Sequence, residues 1–306
     1  MIGAILTGGY GKRMQSLADN IPKTLLKLKN EYTILDRQIL DFASSGVKDI
    51  YLLTGFKGDI VRERYGGSYL GSNIHYLQEE KPMGTLWAVR NLFRHVDDDV
   101  ILRNGDTICD LDMADLTSFA LENGRIFTIV LVKMISPYGI VKMRGTEVTE
   151  FLEKPVLNHY INAGYYYFRK GLRKYLEMEF SEKDIEKSVF PLLASENQIA
   201  GLKYDGFWKS VDSVKDYEEI VKIYSSRDDY DFGSVHRGEM TSTVRILRGK
   251  EVELDGNGWV RLMRGKASFN GKQLKKNVIT RFEGRGTVRA EIVSYVETGD
   301  YTEIGE

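Results

Sequence analysis

Met1-Ile-Gly-Ala-Ile-Leu-Thr-Gly-Gly-Tyr-Gly-Lys-Arg-Met14 is the stretch on which the reading of the fold turns. Ile2 to Thr7 is a short apolar run that breaks at Gly8-Gly9, the pattern of a buried strand ending in a glycine loop. Glycines in such a loop let backbone amides face an anion, and Lys12 and Arg13 add positive charge. The loop is not a Walker phosphate loop, because no glycine precedes Gly11 at the required spacing and Arg13 stands where Ser or Thr would bind magnesium. A dinucleotide fingerprint is excluded too, since Met14 replaces its last glycine.

Downstream, Ile34, Ile39, Phe42 and Ala43 recur at roughly helical spacing, with Thr33 placed to cap the helix and Gly46 to end it. Asp49-Ile-Tyr-Leu-Leu-Thr, Ile74-His-Tyr-Leu-Gln and Val100-Ile-Leu-Arg are strand-like runs, each parted from the next by a polar amphipathic stretch. That alternation predicts a mostly parallel sheet with helices on both faces, a Rossmann-like α/β architecture. Ligands then collect beyond the carboxyl ends of the strands, where Gly8, Gln78 and Asp106 fall. After about Ser225 the chain turns polar, and short alternating runs follow, punctuated by Asp255-Gly-Asn-Gly258 and Asn270-Gly271. The expected division is a first domain over residues 1–229 and a small all-β domain over 236–306, similar to a cupin barrel. That region holds one histidine, His236, so a metal-binding cupin is not expected; packing or oligomerisation is.

The bulk numbers bound the partners. At 306 residues, two domains is the prior, and 43 basic against 44 acidic residues give no long-range field toward nucleic acid or an anionic membrane. Cys109 is the one cysteine, so no internal disulfide forms, and the four histidines show no zinc spacing. No apolar run of about eighteen residues and no basic-then-apolar leader is present, so the expectation is a soluble, cytoplasmic chain.

Two motifs taken together, Gly8-Gly9-x-Gly11-x-Arg13 and Pro22-Lys23-x-Leu25-Leu26, resemble the sugar nucleotidyltransferase family, over roughly residues 1 to 224. The fold so implied is of the GT-A-like nucleotidyltransferase type. The activity so implied joins a nucleoside triphosphate to a sugar 1-phosphate and releases pyrophosphate, with Mg2+ as cofactor. The resemblance assigns Gly8, Gly9, Gly11 and Arg13 to the triphosphate, Arg13 to the departing pyrophosphate and Lys23 to the phosphates, with Leu6 and Lys12 as further nucleotide-binding residues, although many members carry Thr or Ser at the position of Lys12. Positive charge there stabilises a leaving group. Gln78 and the turn Pro82-Met-Gly84-Thr85 match the family's base-binding segment, while Leu86-Trp87 replaces the Ala-Gly of many members; Trp87 itself reads as a core residue on a helix face.

Asp106, in Asn104-Gly-Asp-Thr107, matches the family's metal-binding aspartate, and one carboxylate at a strand end suits Mg2+ held by few protein oxygens plus phosphates. The second ligand differs from the common pattern: Ser210 occupies the usual aspartate position, and Gly206-Phe-Trp-x-x-x-Asp212-Ser matches a minority pattern similar to glucose-1-phosphate cytidylyltransferases, so the role passes to Asp212. Tyr138-Gly139, Glu153-Lys154-Pro155 and Asn162-Ala-Gly164 follow in the order of the family's sugar-binding elements. They imply a backbone contact from Gly139 to a sugar hydroxyl, Glu153 on sugar hydroxyls, Lys154 on the sugar phosphate and Asn162 beside the ring. Glu80-Lys-Pro-Met-Gly-Thr85 and Gly105-Asp-Thr-Ile-Cys-Asp-Leu-Asp112 resemble mannose and heptose 1-phosphate guanylyltransferases and lean toward GTP; cytidylyl, thymidylyl and uridylyl transfer stay as alternatives. Asp110-Leu-Asp112 also admits a metal-dependent glycosyltransferase, which would leave Gly8 to Arg13 and Lys23 unexplained, and a non-catalytic sugar-nucleotide sensor is the third reading. The β domain makes a homo-oligomer the expected state.

Overall fold

The computed structural model describes residues 1–8, 21–29, 32–226, 242–246, 251–256, 258–264, 266–275, 278–290 and 294–300. In chain order the first part comprises β1 (Ile2–Leu6), β2 (Lys27–Lys29), β3 (Tyr32–Thr33), α1 (Ile34–Ser44), β4 (Asp49–Thr54), α2 (Gly58–Tyr65) and β5 (Ser68–Tyr69). β6 (Ser72–Gln78), α3 (Thr85–His95), β7 (Val100–Asn104), β8 (Thr107–Cys109), α4 (Met113–Asn123) and β9 (Phe127–Ile135) follow. β10 (Ile140–Arg144), β11 (Glu147–Leu152), β12 (Val156–Phe168), α5 (Arg173–Leu176), α6 (Val189–Ser195), β13 (Ile199–Lys203), β14 (Trp208–Ser210) and α7 (Val214–Ser226) complete it.

Eight strands form one sheet in the order β13-β9-β12-β7-β1-β4-β6-β5. The run β7-β1-β4-β6 is parallel throughout, as the alternation predicts. β12 runs antiparallel to both β7 and β9, so the sheet is mixed on that side. Neighbouring residues face opposite layers: Ile101, Tyr165 and Tyr167 pack with Leu35, Ile39 and Phe42 of α1 and Leu116 of α4, while Val100, Leu102, Tyr166 and Phe168 pack with Val89 and Phe93 of α3 and Val189 and Phe190 of α6. Continuous apolar strands are what a sheet buried on both faces requires. A third cluster seats α7, through Ile220 and Tyr224, against Leu26, Tyr32 and Ile108.

The capping expectation for α1 holds: Thr33 Oγ1 accepts from Asp36 N at 3.2 Å, and Asp36 Oδ2 accepts from Thr33 N at 2.8 Å. This reciprocal box satisfies two amide donors that the first helical turn leaves free. Gly46, at φ 92°, turns the chain into β4.

The C-terminal residues that are described form two four-stranded antiparallel sheets around Val260, Leu262, Phe269, Val288 and Val296. Asn270 and Gly271 both have positive φ, 48° and 78°, the conformation of a tight two-residue hairpin. Gly286–Ala290 and Ser294–Asp300 lie in different sheets. His236 lies outside the described residues.

Candidate active site

The carboxyl ends of β1, β4, β6 and β7 open onto a cavity of about 370 Å3. Leu6, Thr7 and Gly8 line it from the end of β1, Leu53 and Thr54 from β4, and Asn104, Gly105 and Asp106 from the turn after β7. Pro82, Gly84 and Thr85, with Trp87, Ala88 and Asn91 of α3, and Lys23 and Thr24 also line it. The strand-end placement follows from the parallel topology, in which each loop leaves the same edge.

The turn carrying Asp106 is held tightly. Gly105 N donates to Leu6 O at 2.9 Å, and a Cβ on residue 105 would lie 2.2 Å from that oxygen, so glycine is required for the approach. From beneath, the fully buried Gln38 donates from Nε2 to Asn104 O at 3.0 Å and to Thr107 O at 2.8 Å. Arg103, fully buried, pairs with Asp41 at 3.0 Å and donates to the hydroxyl of Tyr165; Asp41 also pairs with Arg37. A buried guanidinium is tolerated only with such paired and hydrogen-bonded neighbours.

Asp212 reaches the same place through a short ribbon. β14 pairs antiparallel with β8, Ser210 opposite Thr107 and Trp208 opposite Cys109, and Val211 N donates to Asp106 O at 2.9 Å. Lys23 Nζ then lies 2.8 Å from Asp106 Oδ2 and 3.3 Å from Asp212 Oδ1. Ser210 Oγ donates to Asp212 Oδ2, so the serine at the unusual position orients the carboxylate two residues on. Pro22, with φ −56° and ψ 141°, leads into a single helical turn that buries Thr24 and Leu25 and leaves the Lys23 side chain directed at the carboxylates.

The base-segment turn is equally defined. Gly84 has φ 90°, and a Cβ there would lie 2.5 Å from Lys183 O. Thr85 Oγ1 donates to Glu186 Oε2 at 2.9 Å and accepts from Ile185 N at 2.9 Å, which docks the start of α3 onto residues 183–186. Gln78 does not line the cavity; Glu79 does. Gln78 is still within β6, paired with Thr54, and its amide lies against Gly58, whereas Glu79 turns inward so that its Oε1 lies beside Gly8 and Gly55 and its Oε2 accepts from Met83 N at 2.9 Å. Trp87 is a correction: it is half-buried on the cavity wall, not in the core. At helical pitch, Leu86, Val89 and Phe93 take the sheet side, leaving Trp87 and Asn91 on the other. That stripe, with Glu79 and Glu186, is what the sequence reading missed.

Of the residues expected at the sugar, Asn162 is tied to a glycine that packs against a cavity residue. Its Oδ1 accepts from Gly164 N at 2.8 Å, and Gly164, at φ 74°, leaves room for the side chain of Asn104, a cavity residue. Gly139 and Glu153 meet each other, Glu153 Oε2 lying 3.1 Å from where a Cβ on Gly139 would be. Lys154 is exposed with a left-handed backbone, φ 46°, and Gly139, Glu153 and Lys154 lie off the cavity wall. Gly9, Gly11, Lys12 and Arg13 lie outside the described residues.

The Asp-x-Asp pair is otherwise engaged: Asp110 pairs with Arg37 at 2.9 Å, and Asp112 caps α4 by accepting from Ala114 N at 2.9 Å. Among the described residues no three His, Cys, Asp or Glu side chains gather into a metal cluster, and no helix is long and apolar enough to cross a membrane.

The family model for nucleotidyl transferases matches residues 2–227, and the chain belongs to that family. It is 32% identical over 238 residues to a mannose-1-phosphate guanyltransferase of Yarrowia lipolytica, covering 74% of this chain and 64% of that protein. A mannose-1-phosphate guanylyltransferase catalytic subunit beta of Danio rerio is 31% identical over 235 residues, with 73% and 64% covered. The chain thus spans about 64% of the length of these relatives. In fold it is similar to HddC from Yersinia pseudotuberculosis complexed with GMP-PN, with a TM-score of 0.57 at 21% identity over 73% of this chain and 99% of that one.

Proposed function

We propose that the chain is a sugar-1-phosphate nucleotidyltransferase that joins GTP to mannose 1-phosphate. The observation that carries the reaction class is the convergence of Lys23, Asp106 and Asp212 at the strand-end cavity bordered by Gly8. In the reaction, an oxygen of the sugar 1-phosphate attacks the α-phosphorus, the α–β bridging bond breaks, and pyrophosphate leaves with the electron pair. No covalent intermediate with the protein is needed.

Two hard carboxylate oxygens converging on one cation fit Mg2+, which takes one or two carboxylates plus phosphate oxygens and water. Held by Asp106 and Asp212, the metal would neutralise charge on the α-phosphate. Gly8 and Lys23 face the polyphosphate, with Arg13 supplying further charge to the leaving group, and Lys154 orients the nucleophile. Asn162, which holds Gly164 beside Asn104, is assigned to the sugar. Residues 1–229 carry this chemistry, and the β unit over 236–306 serves packing or oligomerisation.

Glu79 supports guanine. A carboxylate only accepts hydrogen bonds when ionised, and guanine alone of the four bases presents two adjacent donors, N1–H and the 2-amino group, on one edge. The guanyltransferase relatives lean the same way. The engaged Asp110 and Asp112 argue against the glycosyltransferase reading.

Pyrophosphate release with Mg2+, measured for four triphosphates against mannose, glucose and heptose 1-phosphates, tests this proposal. The fastest pair is expected to be GTP with mannose 1-phosphate, and Glu79→Gln is expected to reduce the preference for GTP over UTP by roughly tenfold, the worth of one charged hydrogen bond. Absence of sugar-phosphate-dependent pyrophosphate with every pair would refute the reaction class; a preference for CTP, dTTP or UTP would refute the base assignment alone.

A further inference from the structure

Lys23 occupies the position between the carboxylates of Asp106 and Asp212, at 2.8 and 3.3 Å, where the proposed metal would sit. An ammonium there and a divalent cation coordinated by the same two oxygens exclude each other, by contact and by like charge. We propose that Lys23 is a displaceable internal counter-cation: it holds the acidic pair closed in the nucleotide-free protein, and moves onto the polyphosphate when metal and triphosphate enter together. This inference rests on the nucleotidyltransferase reading of the same site.

Three observations give the lysine its means. Its backbone is fixed, because Thr24 and Leu25 are buried and Leu25 N and Leu26 N close a turn onto Pro22 O and Lys23 O at 2.9 and 3.2 Å, so a displacement is carried by the side chain. That side chain lines the same cavity as Gly8, which gives the ammonium a second place to go once phosphate oxygens arrive. Lysine is a compact charge on a flexible four-carbon stem, suited to exchanging partners, where a planar guanidinium would be held by its fork. Without the ammonium, Asp106 and Asp212 would face each other as like charges. With it, free metal must compete for them.

The consequence is coupling. Metal alone binds weakly because it must expel Lys23 into solvent. A triphosphate offers the expelled ammonium a new partner, so metal and nucleotide each raise the affinity for the other, by the same factor.

The test is a titration of the nucleotide-free full chain with Mn2+, followed by the electron paramagnetic resonance of the free ion, for wild type and Lys23→Met. The variant keeps the apolar stem and loses the charge. It is expected to bind Mn2+ about tenfold more tightly than wild type, the loss of two partly exposed ion pairs at roughly 0.7 kcal/mol each. Adding Asp106→Asn to it is expected to remove the gain, and GTP is expected to raise Mn2+ affinity more in wild type than in Lys23→Met. Equal or weaker Mn2+ binding by the folded variant overturns the inference.

A second measurement needs no variant. Acetylation of Lys23 in wild type, read by mass spectrometry, is expected to rise severalfold with saturating Mg2+ alone and to fall again when GTP is added. Unchanged labelling with Mg2+ also overturns the inference. If wild type releases pyrophosphate while Lys23→Met binds metal no better, the counter-cation role fails and the enzyme reading survives. If no triphosphate yields pyrophosphate, the enzyme reading fails whatever the metal titration shows.

Discussion

The two ends of the site are built differently. At the phosphate end, Asp106 sits on a turn whose backbone is tied to Leu6, to Val211 and to the buried Gln38, above a buried Arg37–Asp41–Arg103 ion network. At the end proposed for the sugar, Gly139, Glu153 and Lys154 flank the hairpin of β10 and β11, which is a separate two-stranded sheet and exposes Val141, Met143, Val148 and Phe151 at 45–64%. Isolated two-stranded ribbons are marginal in stability. In the proposed reading, the groups that handle the most charge are fixed in advance, as electrostatic catalysis requires, while those assigned to the sugar stand on a lightly supported element.

The largest effect is expected at the fixed end. Asp106→Asn should lower turnover by about 10³-fold, the scale of losing a metal ligand at the reacting phosphate, with the thermal midpoint within a few degrees of wild type. Turnover within tenfold of wild type would break the assignment of that turn to the metal.

Next comes Lys154→Ala, which should raise KM for the sugar 1-phosphate by roughly 10- to 100-fold, as removal of one charged contact does, and leave KM for the triphosphate unchanged. Equal changes in both KM values would mean that the two ends are not separate.

Gln38→Met sharpens the contrast from below. It removes two donors to Asn104 O and Thr107 O, but Thr107 Oγ1 still donates to Asn104 O, and the glutamine's own Oε1 is buried without a partner among the described residues. The net destabilisation should therefore stay near 1 kcal/mol by thermal or urea melting. Turnover should nevertheless fall by about tenfold, because the turn bearing Asp106 loses its floor.

The smallest effect concerns Cys109, in the ribbon that joins Asp106 to Asp212. It is fully buried, and burial pushes its thiol up to about 11, so it stays protonated at neutral pH. Alkylating reagents should leave it unmodified in the native protein over hours and modify it in urea. Rapid native alkylation would show that the β8–β14 ribbon opens.

Much of this was legible because it is local. The run Ile2 to Thr7, the box at Thr33 and Asp36, and Asp106 after Val100 to Asn104 each carry their signal within a few residues. Asp212 came through family resemblance, since nothing local tells that Ser210 will pair with Thr107, a residue far back in the chain. Gln78 was named where Glu79 faces the cavity, because β6 runs through Gln78 and one residue of extension reverses which side chain points inward. Trp87 was misread because a helix start that is docked at one face by Thr85 and Glu186 leaves an aromatic residue free to border a cavity.

The most direct test of the account is the position of a metal in a crystal of the protein grown with Mn2+ and a non-hydrolysable GTP analogue, located by anomalous scattering. The account predicts a manganese peak within coordination distance of both Asp106 and Asp212, with the Lys23 ammonium moved onto the phosphates beside Gly8. A peak at Asp110 and Asp112 instead, with Lys23 still between Asp106 and Asp212, would contradict it.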